Sequence, residues 1–170
     1  MTIKQYQQKK ISQICSFEAY HALKNWIVEH REQKHPEAAK TGYFAIEPEK
    51  FQGFYKNTSH REYLSKFLEN MIVFMLENSG YIAKKVETKG TKIKAKSGKE
   101  IYIQSGIKVN KGEPDVYSLI NGVATYFEVK VKADKLSDAQ REYIERLENN
   151  GAKVYIIKTV DEFLQIFKQL

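Results

Sequence analysis

Gly112-Glu113-Pro114-Asp115, then Asn121-Gly122, then Glu128-Val129-Lys130: these three groups stand in order within one short stretch, and their spacing decides how the chain folds. Asn-Gly between apolar runs is the strongest short signal for a two-residue hairpin turn. A loop of that length sets the pairing. Ile120 faces Val123, and counting back along both strands brings Asp115 opposite Glu128. Side chains so placed have β-carbons about 4.5–5.5 Å apart, and two like charges there are destabilising. A divalent cation is the usual remedy. Alternation at period two puts Lys130 on the same face, together with Tyr126 and Lys132, and turns Thr125, Phe127, Val129 and Val131 toward the core. Two carboxylates and a lysine converging on one spot are the parts from which metal-assisted phosphodiester chemistry is built.

The charge distribution points the same way. The chain carries a net charge of +7, and residues 81–112 alone hold nine lysines against Glu87 and Glu100, which accounts for the whole excess. A lysine-rich surface is often a solvated face, but one set beside an anionic pair suits a nucleic-acid partner. Within it, Thr91-Lys92-Ile93-Lys94-Ala95-Lys96, a turn at Ser97-Gly98 and Glu100-Ile101-Tyr102-Ile103 read as a β-ribbon. Lys92, Lys94 and Lys96 share one face of that ribbon, a row suited to phosphates along a duplex. Lysines on an exposed strand also discourage edge-to-edge aggregation.

Composition narrows the remaining classes. With 42% hydrophobic and 12% aromatic residues in 170, the chain is that of an ordinary globular protein with one core and a small appendage. Cys15 is the single cysteine, so no intrachain disulfide forms and a reducing compartment fits. The first ten residues lack an apolar core, and no apolar run nears the about 18 residues of a membrane span, so the expectation is a cytoplasmic protein with no membrane partner. His21, His30, His35 and His60 lack ligand spacing for zinc. No Gly-x-x-x-x-Gly-Lys-Ser/Thr occurs, which argues against ATP hydrolysis.

Along the chain, residues 1–58 read as an accessory segment. Phe17, Tyr20, Leu23 and Ile27 recur at helical spacing over about 17–33, and His35-Pro36 ends the helix. Tyr43, Phe44, Phe51, Phe54 and Tyr55 follow without a clean period. The main domain spans residues 59–170. Ser59-x-x-Glu62 forms a capping box for a helix whose Leu64, Phe67, Leu68, Met71, Ile72 and Met75 make a stripe wide enough to cover a sheet. Asn78-Ser79-Gly80 stops it, and Tyr81-Ile82-Ala83 opens a first strand. After the ribbon and the hairpin, Ser137 caps a helix running to Asn150, Gly151 stops it, and Val154-Tyr155-Ile156-Ile157 forms a short buried strand parallel to its neighbour. Thr159-x-x-Glu162 caps a last helix with Phe163, Leu164 and Phe167 inward.

Pro114-Asp115 followed by Glu128-Val129-Lys130 resembles the signature of the PD-(D/E)xK nuclease superfamily. Gly112, Ser137, Gln140 and Gly151 stand in the order of its virus-type replication-repair nuclease (VRR-NUC) branch, and the resemblance covers about residues 60–170. It implies a restriction-endonuclease-like α/β fold: a mixed β-sheet flanked by helices, here with a β-ribbon insertion and a mainly helical N-terminal extension. It implies Mg²⁺ as cofactor, with Mn²⁺ as substitute, held by Asp115, Glu128, the Val129 carbonyl and the helix carboxylate Glu69. Glu62 shares a helical face with Glu69 but has a sufficient role in its capping box. Lys130 and Gln140 complete the implied catalytic set, although Ser137-x-x-Gln140 is also a capping box. Related exonucleases have Gln-x-x-x-Tyr where this chain has Gln140-x-x-Tyr143, so Tyr143 is not carried over. The implied activity is hydrolysis of DNA phosphodiester bonds by a structure-specific endonuclease acting on junctions or branches, in a homo-oligomer. Two other readings stay open: a non-catalytic DNA-binding module that keeps the fold, and an interaction scaffold in replication or repair.

Overall fold

The computed structural model describes residues 2–7, 9–34, 60–86, 91–94, 100–103 and 111–170. Helix α1 (Ile3–Gln7), a 3-10 turn (Lys10–Gln13) and α2 (Phe17–Lys34) precede α3 (His60–Asn78) and β1 (Ile82–Lys85). Strands β2 (Thr91–Lys94) and β3 (Glu100–Ile103) form a separate antiparallel ribbon. Then come β4 (Val116–Ile120), β5 (Val123–Val129), α4 (Asp138–Asn149), β6 (Lys153–Ile157) and α5 (Val160–Phe167). The main sheet runs in the order β1-β4-β5-β6, antiparallel except for the parallel β5–β6 pair. This is the mixed sheet with flanking helices that the sequence predicts.

The hairpin turn behaves as its residues require. Asn121 has φ 50° and Gly122 has φ 81°, the double left-handed geometry of a type I′ turn, whose twist matches that of the strands it joins. Ile120 pairs with Val123 and Val116 with Phe127, the expected register. Helices α4 and α5 begin at Ser137 and Thr159, each hydroxyl accepting from the backbone amide three residues on, with Gln140 and Glu162 reaching back to complete capping boxes. Ser59 lies outside the described residues, and with it the expected box at the start of α3. So do Tyr43, Phe44, Phe51, Phe54, Tyr55, the turn at Ser97-Gly98 and the expected boundary at 58/59.

One expectation fails at β6. It is an edge strand, so Ile156 is 43% exposed and Val154 and Tyr155 are half-buried, leaving Ile157 as the one fully buried member of the predicted apolar run. An apolar run signals a strand but does not say whether both of its faces are covered.

The core is one contiguous cluster. The α3 stripe of Leu64, Phe67, Leu68, Met71, Ile72, Met75 and Leu76 is buried, and α3 packs across β1, β4 and β5. Tyr20, Leu23 and Ile27 of α2 belong to the same cluster, packed with Phe163 and Val160 of α5. Trp26 lies edge-on to Phe74 and Phe167, with ring centroids 5.8 and 5.9 Å away. The chain crosses between the two ends through Val160 N–H donating to the Ile14 carbonyl (2.7 Å) and Ser16 N–H donating to Asp161 Oδ2 (2.8 Å). Residues 11–27 thus supply core to the domain. Leu23→Ala is therefore expected to lower the stability of the whole fold by about 2–5 kcal/mol, seen in urea denaturation as an earlier midpoint of a single transition. A mutant whose main transition stays at the wild-type midpoint would show α2 to be an independent appendage.

Candidate active site

Asp115 immediately precedes β4, and its carboxylate bends across the hairpin: Oδ2 accepts from Val129 N–H at 2.8 Å. Its own carbonyl accepts from Val86 N–H at 2.8 Å, tying it to the end of β1. Glu128 is fully buried near the end of β5. One of its oxygens, Oε1, receives both the Lys130 ammonium and the Gln140 side-chain amide, each at 2.5 Å. The other, Oε2, is buried with no hydrogen-bond partner among the described residues. Such an atom is costly to leave bare.

The electrostatics follow from this burial. Desolvation raises the Asp115 carboxyl above its usual range against the pull of the Val129 amide, with Glu69 adding to the rise and Lys130 and Lys85 opposing it. Burial, then the Asp115 charge, pushes Glu128 up to about 7, although the Lys130 contact works the other way. The Asp115 carboxylate is close enough to oppose ionisation of Glu128.

Gln140 resolves a choice that its sequence left open. Its Oε1 accepts from Ser137 N–H at 3.0 Å, which is the capping box, while its Nε2 donates to Glu128. One amide serves helix and site at once, and a carboxylate could do only the first. Gly112 makes that seating possible. With φ 90° it lies so close to α4 that a β-carbon would stand 2.1 Å from the Ala139 carbonyl oxygen and 2.9 Å from the Gln140 amide nitrogen. No side chain fits there.

Glu69 on α3 raises the Asp115 carboxyl through its charge, and both of its oxygens are engaged. Oε1 accepts from Ser65 Oγ at 3.0 Å and Oε2 pairs with Lys85 at 2.7 Å. Lys132 departs from its expected place. β5 ends at Val129, and Lys132 sits exposed in a turn with φ 57°, so the alternation meant to carry it onto the Glu128 face has ended before it. Lys92 and Lys94 occupy β2 opposite Tyr102 and Glu100, while Lys96 lies outside the described residues. Sequence reasoning missed Lys85, Ser65 and Asn70. Lys85 Nζ contacts Asn70 Oδ1 at 3.2 Å besides Glu69, a junction of helix and strand with no local signal beyond the general lysine excess.

Among the described residues no three His, Cys, Asp or Glu side chains gather as metal ligands. Asp115 and Glu128 are carboxylates, hard oxygen donors of the kind Mg²⁺ accepts when it keeps several waters.

Paired carboxylates, an adjoining lysine and a mixed sheet define a nuclease-type α/β domain. The family model of the VRR-NUC domain matches residues 70–161, more than half of the chain, and the chain belongs to that family, a branch of the PD-(D/E)xK nuclease superfamily. A solved structure titled "VRR_NUC domain" is 18% identical, with 61% of this chain and 94% of that one covered and a TM-score of 0.43. No curated protein matches. No described helix is long and apolar enough to cross a membrane.

Two predictions come from this geometry. A carboxyl raised in the folded state contributes stability below its ordinary value and loses it as pH rises through the shifted one. In EDTA, wild-type stability should fall relative to Glu128→Gln between about pH 4.5 and 7, measured by urea denaturation at a series of pH values; parallel profiles would contradict the burial of a titrating carboxylate. Gln140→Glu should keep the α4 capping box yet set a third carboxylate on Glu128, so its stability falls at pH 8 and recovers at pH 5. Ser137→Ala should cost about 1 kcal/mol at both pH values, because only the cap is lost. Equal pH profiles for the two variants would limit Gln140 to capping.

Proposed function

We propose that this chain is a Mg²⁺-dependent deoxyribonuclease acting through Asp115, Glu128, Lys130 and Gln140. The observation that carries the reading is the bare, buried Oε2 of Glu128 beside a second carboxylate. Hydrogen bonds hold the other Glu128 oxygen, so this one is left for a ligand that accepts oxygen lone pairs. Asp115, Glu128 Oε2 and the Val129 carbonyl would hold the ion, with Mn²⁺ as substitute. When bound, such an ion supplies Lewis-acid neutralisation of a phosphoryl oxygen and acidifies a water.

The chain's own groups do the rest. Gln140 and Lys130 fix Glu128 in one rotamer by clamping Oε1. Lys130 places a cation where negative charge grows on an attacked phosphate, and it needs no reorganisation because Glu128 already pins it. Lys92, Lys94, Lys96 and Lys132 would contact DNA phosphates without regard to sequence. The finer reading, endonucleolytic action on junctions or branches by a small oligomer, rests on family membership.

Supercoiled plasmid and a synthetic four-way junction, incubated with Mg²⁺ or EDTA, test the proposal. Cleavage is expected with Mg²⁺ alone and in preference at the junction. Asp115→Asn and Glu128→Gln should each lower the rate by at least about 100-fold, more than the 10–100-fold that losing a partner of a metal ligand costs. Cutting in EDTA, or wild-type rates in either variant, would remove the proposed site. DNA binding without cutting by the wild type would make the chain a binding module instead.

A further inference from the structure

We propose that the open sheet face beside the carboxylates, built on Lys84, Tyr117 and Tyr126, is a stacking platform for unpaired bases of the DNA strand being cut. The inference rests on the nuclease reading and deepens it by naming where that strand lies. Strand pairing puts Lys84 opposite Tyr117 and Tyr117 opposite Tyr126, so the three form one row across β1, β4 and β5. Phe127, between Tyr126 and Glu128, is wholly buried, as is Val116 between Asp115 and Tyr117. Alternation therefore sets Tyr126 and Glu128 on the same face, two strand residues or about 6.8 Å apart. The aromatic row is the one next to the carboxylate pair.

This row is accessible, and its chemistry is that of a base-binding surface. Tyr117 and Tyr126 are half-buried and Lys84 is exposed. The next row of the same face holds Ile82, 64% exposed, opposite Leu119, 36% exposed. On the other face α3 packs across the same strands. The two tyrosine rings meet edge to face, with centroids 5.3 Å apart and planes at 61°. Lys84 Nζ stands 5.8 Å from the Tyr117 ring centroid, within cation–π range. Rings held in this way lose little freedom when a base stacks on them. Exposed apolar surface of this kind marks an interaction site, and two observations select a nucleotide strand as its occupant. A lysine set among the aromatics is disfavoured at the centre of a protein interface, whereas aromatic rings with adjoining cations are what single-stranded nucleic acid binds, because every base has a π-face. The row is also continuous with the candidate active site, so a strand with its phosphate at Asp115 and Glu128 extends its adjoining nucleotides over the tyrosines.

The test is binding in EDTA, followed by fluorescence anisotropy, of two labelled oligonucleotides of equal length: one of thymidine, the other with the same backbone and abasic sites throughout. Wild type should bind the thymidine strand at least about fivefold more tightly, the lower end of what one stacked base contributes. Tyr117→Leu and Tyr126→Leu keep an apolar side chain. Each should lose at least about fivefold on the thymidine strand and stay within about twofold of wild type on the abasic one, with Tyr126→Phe matching wild type on both. Lys84→Gln should instead lower the slope of log K against log salt by about 0.7 on both strands; a wild-type slope removes Lys84 from the platform. Equal binding of the two strands by wild type overturns the platform whether or not the variants fold, and so do leucine variants that match wild type on thymidine. Leucine variants that bind as wild type but sediment at a smaller mass mark the face as a contact between copies of this chain, which also overturns it. Plasmid cleavage with Mg²⁺ by the same preparation separates the two readings. Cutting without preference for the base-bearing strand keeps the nuclease and removes the platform, whereas wild-type protein with no affinity for DNA removes both.

Discussion

A two-residue turn carries the rest of the molecule. Asn121 and Gly122 both adopt left-handed backbone, which closes β4 onto β5 with no freedom of register. A slip of one residue would send Glu128 to the opposite face of the sheet and present Val129 in its place. With the register held, Asp115 must meet the backbone of β5 beside Glu128, and the unfavourable proximity of two carboxylates is built in before any helix docks.

The end of β5 and one residue of α4 then make that proximity tolerable. Lys130 and Gln140 satisfy one oxygen of Glu128, and the Val129 amide satisfies one oxygen of Asp115. Glu128 Oε2 is left without a partner among the described residues. An unpartnered buried carboxylate oxygen costs the fold stability, and proteins retain that kind of strain at sites where a ligand will relieve it. The raised Glu128 is the electrostatic expression of the same fact: burial and the neighbouring Asp115 charge both disfavour its ionised form.

Gly112 and Gln140 show how closely backbone packing and site chemistry are joined here. The helix that carries Gln140 comes to within van der Waals contact of the Gly112 backbone, and that approach is what brings a side-chain amide from α4 to a carboxylate on β5. A glycine two residues before Pro114 is thus a packing requirement of the site as much as of the loop.

The sequence by itself determined the hairpin, its register, the helix caps at Ser137 and Thr159 and the amphipathic stripe of α3, because each depends on residues within a few positions of one another. Asp115, Glu128 and Lys130 were legible for the same reason, since a two-residue turn converts spacing along the chain directly into proximity in space. Gln140 was legible as a residue but not as a donor with two duties. Only tertiary structure decided where α4 sits over β5, that Glu69 contacts Ser65 and Lys85, and that Lys132 lies in an exposed turn past the end of β5. Those facts depend on contacts between elements far apart in the chain, where no local period or propensity records the partner. Burial belongs with them: the carboxylate of Glu128 is fully buried only because α4 and the sheet exclude water from it, and that exclusion is a property of packing rather than of any stretch of sequence.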